Sequence, residues 1–325
     1  MKNIALFLLF CFIPTMTIFA QLKSQRRIYL WDVTLSMKGH GGTPNIYNDV
    51  IKFLEQEINS ITDESSEIVV CPFQESILET WKAKADVSGK KNILKKIKGY
   101  TNSEITNTDI VKPIQQVQTS IIANDRRNLL ILLTDGKQNE SLSGGKAGLL
   151  RLIENWGEYA DINDAYALYV MLTDMSIDQD IIGAIERTDN ISVVKEPGAK
   201  EIIDLQPADV VKFNIKDDKT AKISLSFKSS IKLPDNIKIQ ITAEDSILTV
   251  NQTVVVKDDM IVFDVNFKKP YDILKIELPE ITRIPLSIKL LNKNSIEQIL
   301  YLTKEKLQLE LINRPEKTLK ISIKQ

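Results

Sequence analysis

The chain has 325 residues, 43% apolar and 26% charged, with a formal net charge of −1. The length exceeds what one hydrophobic core usually fills and points to two domains. The balance is that of an ordinary soluble globular protein, and the near-zero charge argues against a nucleic-acid or anionic-membrane partner held by bulk electrostatics.

Residues 1–20 read as a signal peptide. Lys2 supplies a positive start, residues 4–13 an apolar core, and Ala20 a small residue at the cleavage site. Ile18 is larger than the residue usual three positions before such a site, so an uncleaved anchor is the alternative reading. Cys11 follows Leu9-Phe10 with no small residue before it, which argues against a lipoprotein anchor. The expected location is therefore secreted, or periplasmic and cell-envelope, with a mature chain that does not span the membrane once the signal is cleaved. Cleavage leaves Cys71 alone, and its place in Ile68-Val69-Val70-Cys71 predicts a buried strand thiol.

From Arg27 to about Val194, strand and helix patterns alternate. Ile28-Tyr29-Leu30-Trp31 reads as a buried strand. Thr43 offers an N-cap with Pro44 at the first helical position, and Ile46, Val50, Phe53, Leu54, Ile58 and Ile61 follow at helical spacing. Strands are expected over 67–73 and, as an edge hairpin, 77–82. Helices are expected over 87–97 and 109–122, the second with Pro113 in its first turn. Leu129-Leu130-Ile131-Leu132-Leu133 is a continuous apolar run of the kind buried on both faces of a parallel sheet. A helix over 146–158, a strand over 165–172, a helix over 179–187 and a strand over 191–194 complete a doubly wound, mostly parallel α/β domain. Such sheets bind ligands at the carboxyl ends of their strands.

Composition then changes. All 12 glycines lie at or before Gly198, and Cys, His and Trp also stop there. Glu196-Pro197-Gly198 marks the approach to a linker, assigned to 201–210. Short alternating runs follow at 222–227, 237–242, 248–256, 261–267, 274–278, 286–290, 307–311 and 319–323. Turns at Asp217-Asp218, Pro234-Asp235 and Asp258-Asp259 separate them. This is the pattern of an all-β sandwich or barrel, assigned as an Ig-like β-sandwich over 211–325.

Three stretches gather oxygen side chains where strands end or helices begin: Asp32-Val33-Thr34-Leu35-Ser36, Thr106-Asn107-Thr108, and Thr134-Asp135-Gly136. Alternate residues of an extended segment point the same way, so Asp32, Thr34 and Ser36 can converge. Of Thr106 and Thr108, one can ligate and the other cap the helix that follows. Two carboxylates with hydroxyls suit a hard divalent cation.

In order, spacing and context, Asp32-x-Thr34-x-Ser36-Met37, Thr106-Asn107-Thr108-Asp109 and Leu132-Leu133-Thr134-Asp135-Gly136 resemble the metal-ion-dependent adhesion site of von Willebrand factor A domains. The resemblance covers roughly residues 25–200, and Val70-Cys71-Pro72-Phe73 resembles that family's second core strand. It implies a vWA, Rossmann-like domain whose metal ligands are Asp32, Thr34, Ser36, Thr106 and Asp135. The ion would be Mg²⁺ or Mn²⁺, with Ca²⁺ as an alternative, and the partner a protein offering Asp or Glu. The family usually has Ser where this chain has Thr34.

An enzymatic reading finds little support. Any triad would have to use His40, the sole histidine, and no motif places a general base. Gly144-Gly145-Lys146 lacks the rest of a phosphate-binding loop and reads as a helix start. Thr173-Asp174-Met175 repeats the third motif without its glycine, so Asp174 reads as a loop or cap residue. The expectation is an exported adhesion or binding module, not an enzyme. The alternative is a metal-independent structural or assembly component of the cell envelope.

Overall fold

The structure is a computed structural model that describes residues 24–40, 44–101, 107–135, 138–171, 178–194, 201–203, 205–207, 212–216, 220–229, 233, 237–256, 260–291, 300–302, 306–313 and 319–324. Several sequence expectations lie outside these residues: the signal peptide 1–20, Thr43, Thr106, Gly136, the Thr173-Asp174-Met175 segment, Glu196-Pro197-Gly198, and the three Asp-containing turns of the β-rich part.

Six strands form the first sheet: β1 (Gln25–Asp32), β2 (Glu67–Phe73), β3 (Trp81–Lys84), β4 (Arg127–Thr134), β5 (Ala165–Met171) and β6 (Ile191–Val194). Their order is β3-β2-β1-β4-β5-β6, parallel except for the antiparallel edge strand β3. This is the doubly wound order, with its direction reversing between β1 and β4. All eight residues of β1 are buried, as its central position requires.

Side-chain alternation divides β1 between two cores. Tyr29, Trp31 and Val33 face α1 (Tyr47–Ser60) and α2 (Val87–Lys98) through Val50, Leu54, Ile93 and Ile97. Ile28 and Leu30 face the opposite layer, built from α3 (Val111–Ser120), α4 (Gly145–Glu154), α5 (Trp156–Asn163) and α6 (Gln179–Arg187). Asp32, next in the even series, ends β1 on this second face.

Some boundaries differ from the sequence pattern. Helix α1 starts at Tyr47 rather than Pro44, because Asn45 bridges Lys38 and the Ile46 N–H donates to the Met37 carbonyl at 3.0 Å. The hairpin expected over 77–82 reduces to an isolated Phe73–Ile77 bridge, with strand pairing beginning at Trp81. The helix expected over 146–158 breaks at Asn155, and buried Trp156, whose indole donates to the Asn190 carbonyl at 2.8 Å, opens α5. Cys71 is buried in β2 as expected, and burial pushes its thiol up to about 11.

Among the described residues the C-terminal part is all-β apart from one short helix. Its elements are β7 (Glu201–Ile203), β8 (Leu205–Pro207), β9 (Lys212–Lys216), β10 (Thr220–Ser229), β11 (Lys238–Glu244), β12 (Leu248–Val255), β13 (Met260–Phe267), α7 (Tyr271–Glu277), β14 (Ile281–Leu290), β15 (Leu300–Leu302), β16 (Lys306–Asn313) and β17 (Leu319–Lys324). Nine of these strands make one hydrogen-bonded sheet, β17-β16-β14-β11-β12-β13-β10-β8 with β9 also on β10. Its outermost strands β8 and β17 approach each other, so the sheet curls round a single core that includes Phe227, Phe263, Ile239 and Leu309.

Residues 201–207, expected as linker, supply β7 and β8, the latter paired with β10. The strand expected over 274–278 is instead the second half of α7. Pro270 starts that helix, and Leu274 and Leu278, four apart, are buried while Ile276 is exposed. That is a helical period rather than a strand's.

Beneath β1 lies a charge pair with no exposure on either side chain. Arg27 Nη1 meets Glu57 Oε2 at 2.6 Å, Arg27 Nε donates to Gln25 Oε1 at 2.9 Å, and the Tyr29 hydroxyl donates to Glu57 Oε2 at 3.2 Å. Removing one member strands the other in the interior. Glu57→Leu is therefore expected to lower unfolding free energy by about 3–5 kcal/mol, measured by urea denaturation, and Arg27→Met/Glu57→Leu to recover more than half of that loss. A cost below about 1 kcal/mol for the single variant would show that Arg27 is satisfied without Glu57.

Candidate metal centre

The pairing that aligns Trp31 with Leu133 sets the end of β1 against the end of β4, at the sheet's reversal point. Asp32 is fully buried there. Its Oδ1 accepts from the Thr34 N–H at 2.9 Å and the Thr34 hydroxyl at 2.7 Å, and its Oδ2 accepts from the Thr134 hydroxyl at 2.7 Å. The Ser36 hydroxyl lies 3.0 Å from that of Thr34, and the Thr108 hydroxyl donates to Thr34 Oγ1 at 3.1 Å. Thr34 and Thr108 are buried, and Ser36 is partly open.

The loops carrying these groups are tied together by their backbones. The Val33 N–H donates to the Phe73 carbonyl at 3.0 Å, the Asp109 N–H to the Gln74 carbonyl at 3.0 Å, and the Asn139 N–H to the Thr108 carbonyl at 3.0 Å. Asp109 fastens the start of α3. Its Oδ1 accepts from the N–H groups of Val111 (3.0 Å) and Lys112 (3.3 Å) and from Gln138 Nε2 (3.2 Å), while Oδ2 accepts from the Ser143 hydroxyl. After Ser143, Gly144 and Gly145 both have positive φ, 80° and 59°, and a Cβ on Gly145 would lie 2.9 Å from the Glu140 carbonyl oxygen. That tight turn starts α4 and holds the loop after β4 close to α3.

The structure thus brings Asp32, Thr34 and Ser36 together, with Thr108 against them. Asp135 follows directly on β4 and is buried. Thr106 lies outside the described residues. The helix cap expected from Thr106 or Thr108 is made by the Asp109 carboxylate instead, because Thr108 is turned toward Thr34. Thr134, quoted in the third motif without a role, is the residue that holds Asp32 Oδ2. An alternating register could have revealed it, since it ends a strand on the same face as Asp32.

Electrostatically the centre is incomplete. Burial pushes the Asp32 carboxyl up to about 6, against the hydrogen bonds from Thr34, with the nearby Asp135 carboxylate raising it further and Thr134 lowering it. Asp135 Oδ1 is buried with no hydrogen-bond partner. Among the described residues no Lys, Arg or His pairs with either carboxylate, and no group of three or more His, Cys, Asp or Glu side chains gathers anywhere. A buried acceptor without a donor costs about 1–3 kcal/mol, more if charged. These residues fit a divalent cation. The donors are all oxygen, the two carboxylates repel each other, and one of them carries a bare acceptor oxygen. Asp32, Thr34, Ser36 and Asp135 would hold such an ion, with Thr106 as the additional ligand implied by the motif.

No family model and no curated protein matches the sequence. Solved structures of von Willebrand factor A proteins are similar to it in outline. Proximal thread matrix protein 1 from the mussel byssus, with a zinc-occupied metal-ion-dependent adhesion site, shares 17% identity over 53% of this chain and 41% of its own, at a TM-score of 0.39. The ArnB paralog VWA2 from Sulfolobus acidocaldarius shares 13% over 94% and 67%, at 0.37. The pilus adhesin SpaC from Lactobacillus rhamnosus GG shares 12% over 94% and 44%, at 0.44. This chain thus spans less than half the length of the mussel protein and of the adhesin, and likeness at this level carries no residue or partner across.

The raised Asp32 carboxyl makes the metal-free fold pH-dependent. The folded protein binds this proton more tightly than the unfolded chain, so its stabilisation is full below the ordinary value of 3.8 and is lost as pH rises through about 6. The difference is on the order of 3 kcal/mol. Metal-stripped protein should lose less stability between pH 5 and 7.5 when Asp32→Asn removes the titrating group, as read from melting curves. Identical pH dependence in the two proteins would show that Asp32 has an ordinary carboxyl.

Proposed function

We propose that the protein is an exported binding module that takes up Mg²⁺ or Mn²⁺ between Asp32, Thr34, Ser36, Thr106 and Asp135. Through the ion it captures an Asp or Glu side chain of a protein partner. The observation that carries this reading is the buried Asp135 Oδ1 without a donor, close to a fully buried Asp32 and with no cationic side chain paired to either among the described residues. When bound, the ion supplies a Lewis-acidic position that an incoming carboxylate oxygen can fill. The chain's own groups do the rest. Thr34 and Thr134 keep Asp32 oriented, Thr108 orients the Thr34 hydroxyl, and Ser36 stands at the partly open side.

We infer a binding role rather than a catalytic one. Among the described residues no helix is long and apolar enough to cross a membrane.

Calorimetric titration of Mg²⁺ and Mn²⁺ into metal-stripped protein tests the reading. Saturable binding is expected, at least about tenfold weaker in Asp32→Ala and in Asp135→Ala, the loss of one charged ligand being worth 1.4 kcal/mol or more. Retention of glutamate-bearing peptides on immobilised protein should then vanish with EDTA. A folded wild-type protein that takes up no metal at millimolar concentration would transfer support to the metal-independent structural component.

A further inference from the structure

Tyr169 lies in the middle of β5, a strand whose sequence Ala-Tyr-Ala-Leu-Tyr-Val-Met reads as ordinary apolar core. The parallel register pairs Tyr169 with Leu132, and Thr134 with Met171. Tyr169 therefore sits one alternation short of Thr134, on the neighbouring strand. It belongs to the same core as Ile28, Leu30 and Leu132, the face on which Asp32 and Thr134 close their strands. Tyr169 therefore stands on the face that carries the candidate metal centre.

The phenol is an anomaly. Tyr169 is 3% exposed, and its hydroxyl has no hydrogen-bond partner. Its ring borders a narrow apolar slot of about 20 Å³ whose other lining residues include Leu132, Leu149, Ile153 and Trp156. That wall gives the hydroxyl no polar neighbour. Burial foremost, then the charges of Asp135 and Asp32, push the phenol well above its ordinary range. The second orphan of the region is Asp135 Oδ1. One buried donor and one buried acceptor are thus each unsatisfied within electrostatic reach of one another, although satisfied buried groups are the rule.

We propose that Tyr169 is a positioning residue of the cation site, its phenol donating to the Asp135 carboxylate through one bridging water and so fixing the oxygen that Asp135 presents to the ion. The inference rests on the cation-site reading above and adds to it a residue that the three sequence motifs do not contain. A phenol in this place keeps Asp135 from turning away when no ion is bound.

The experiment compares wild-type protein with Tyr169→Phe, which keeps the ring and removes only the hydroxyl. The control is Tyr166→Phe. Tyr166 lies on the same strand but in the opposite core, where its hydroxyl bonds the Ser192 hydroxyl. Mg²⁺ and Mn²⁺ affinities are read by calorimetry, and metal-free melting temperatures by circular dichroism. Tyr169→Phe should bind the cations about five- to tenfold more weakly while melting within a few degrees of wild type, and Tyr166→Phe should bind them as wild type does. A purely structural tyrosine would move the melting temperature and leave affinity alone. If wild type binds cations and Tyr169→Phe binds them equally well, the role given to Tyr169 is wrong and the site stands. If wild type binds none, the site reading fails and takes the tyrosine's role with it. Should Tyr169→Phe fold poorly, Asp135→Asn in both backgrounds decides: a tyrosine effect on stability that survives loss of the carboxylate would overturn the proposal.

Discussion

A fully buried carboxylate at the reversal point of a parallel sheet has to be satisfied, and the surrounding loops are arranged round that need. Asp32 ends the central strand, where water cannot reach it. Three protein donors serve it: the backbone N–H and hydroxyl of Thr34, and the hydroxyl of Thr134 on the adjoining strand. Each donor requires its own placement. Thr34 requires the chain to turn back immediately after β1, which the turn at Leu35–Met37 accomplishes. Thr134 requires β4 to stop in register with β1. Thr108 then settles on Thr34, and Asp109 anchors that loop to the next. Satisfaction of one charge thus propagates through three loops.

The opposite end of the same strand handles charge differently. Arg27 and Glu57 are equally buried, but they neutralise each other, and hydrogen bonds join them to Gln25 and Tyr29. A pair matched in this way carries no net charge into the interior. Asp32 and Asp135 are two groups of one sign with no cationic partner among the described residues, Asp32 being held by the N–H and hydroxyl of Thr34 and the hydroxyl of Thr134. A fold able to bury a matched ion pair at one end of β1 leaves an unmatched pair of anions at the other. Unmatched buried charge is costly to folding and is retained where it has work to do.

The first sheet was legible because each buried strand is a compact apolar run and most helices carry a stripe at the 3.6 period. The strands over 67–73 and 191–194 and the helix over 179–187 have the expected limits. Boundaries failed where tertiary bonds outweighed local signals, as at Asn45 and Asn155. In the β-rich part, the segment that forms α7 reads as a strand because Leu274, Ile276 and Leu278 also satisfy a two-residue alternation. Only the exposure of Ile276 separates the two periods. Asp32, Thr34 and Ser36 were legible because one extended segment carries all three. Tyr169 was not, because a buried tyrosine in an apolar strand looks like packing until its hydroxyl is found without a partner.

Hydroxyls around the carboxylates do more than complete a hydrogen-bond list. Two carboxylates formally cancel a divalent ion, and a fully neutralised ion has little attraction left for a third carboxylate from a partner. Every donor that Asp32 accepts from draws charge away from the face an ion would meet, and three do so here. A cation between Asp32 and Asp135 would therefore keep more of its electrophilic character than the count of acidic side chains suggests. A phenol on Asp135 would extend the same effect to the second carboxylate. If an ion binds here as proposed, the hydroxyl-rich surroundings would favour capture of an outside acid over closure of the site on itself, which is the property that separates a binding centre from a structural one.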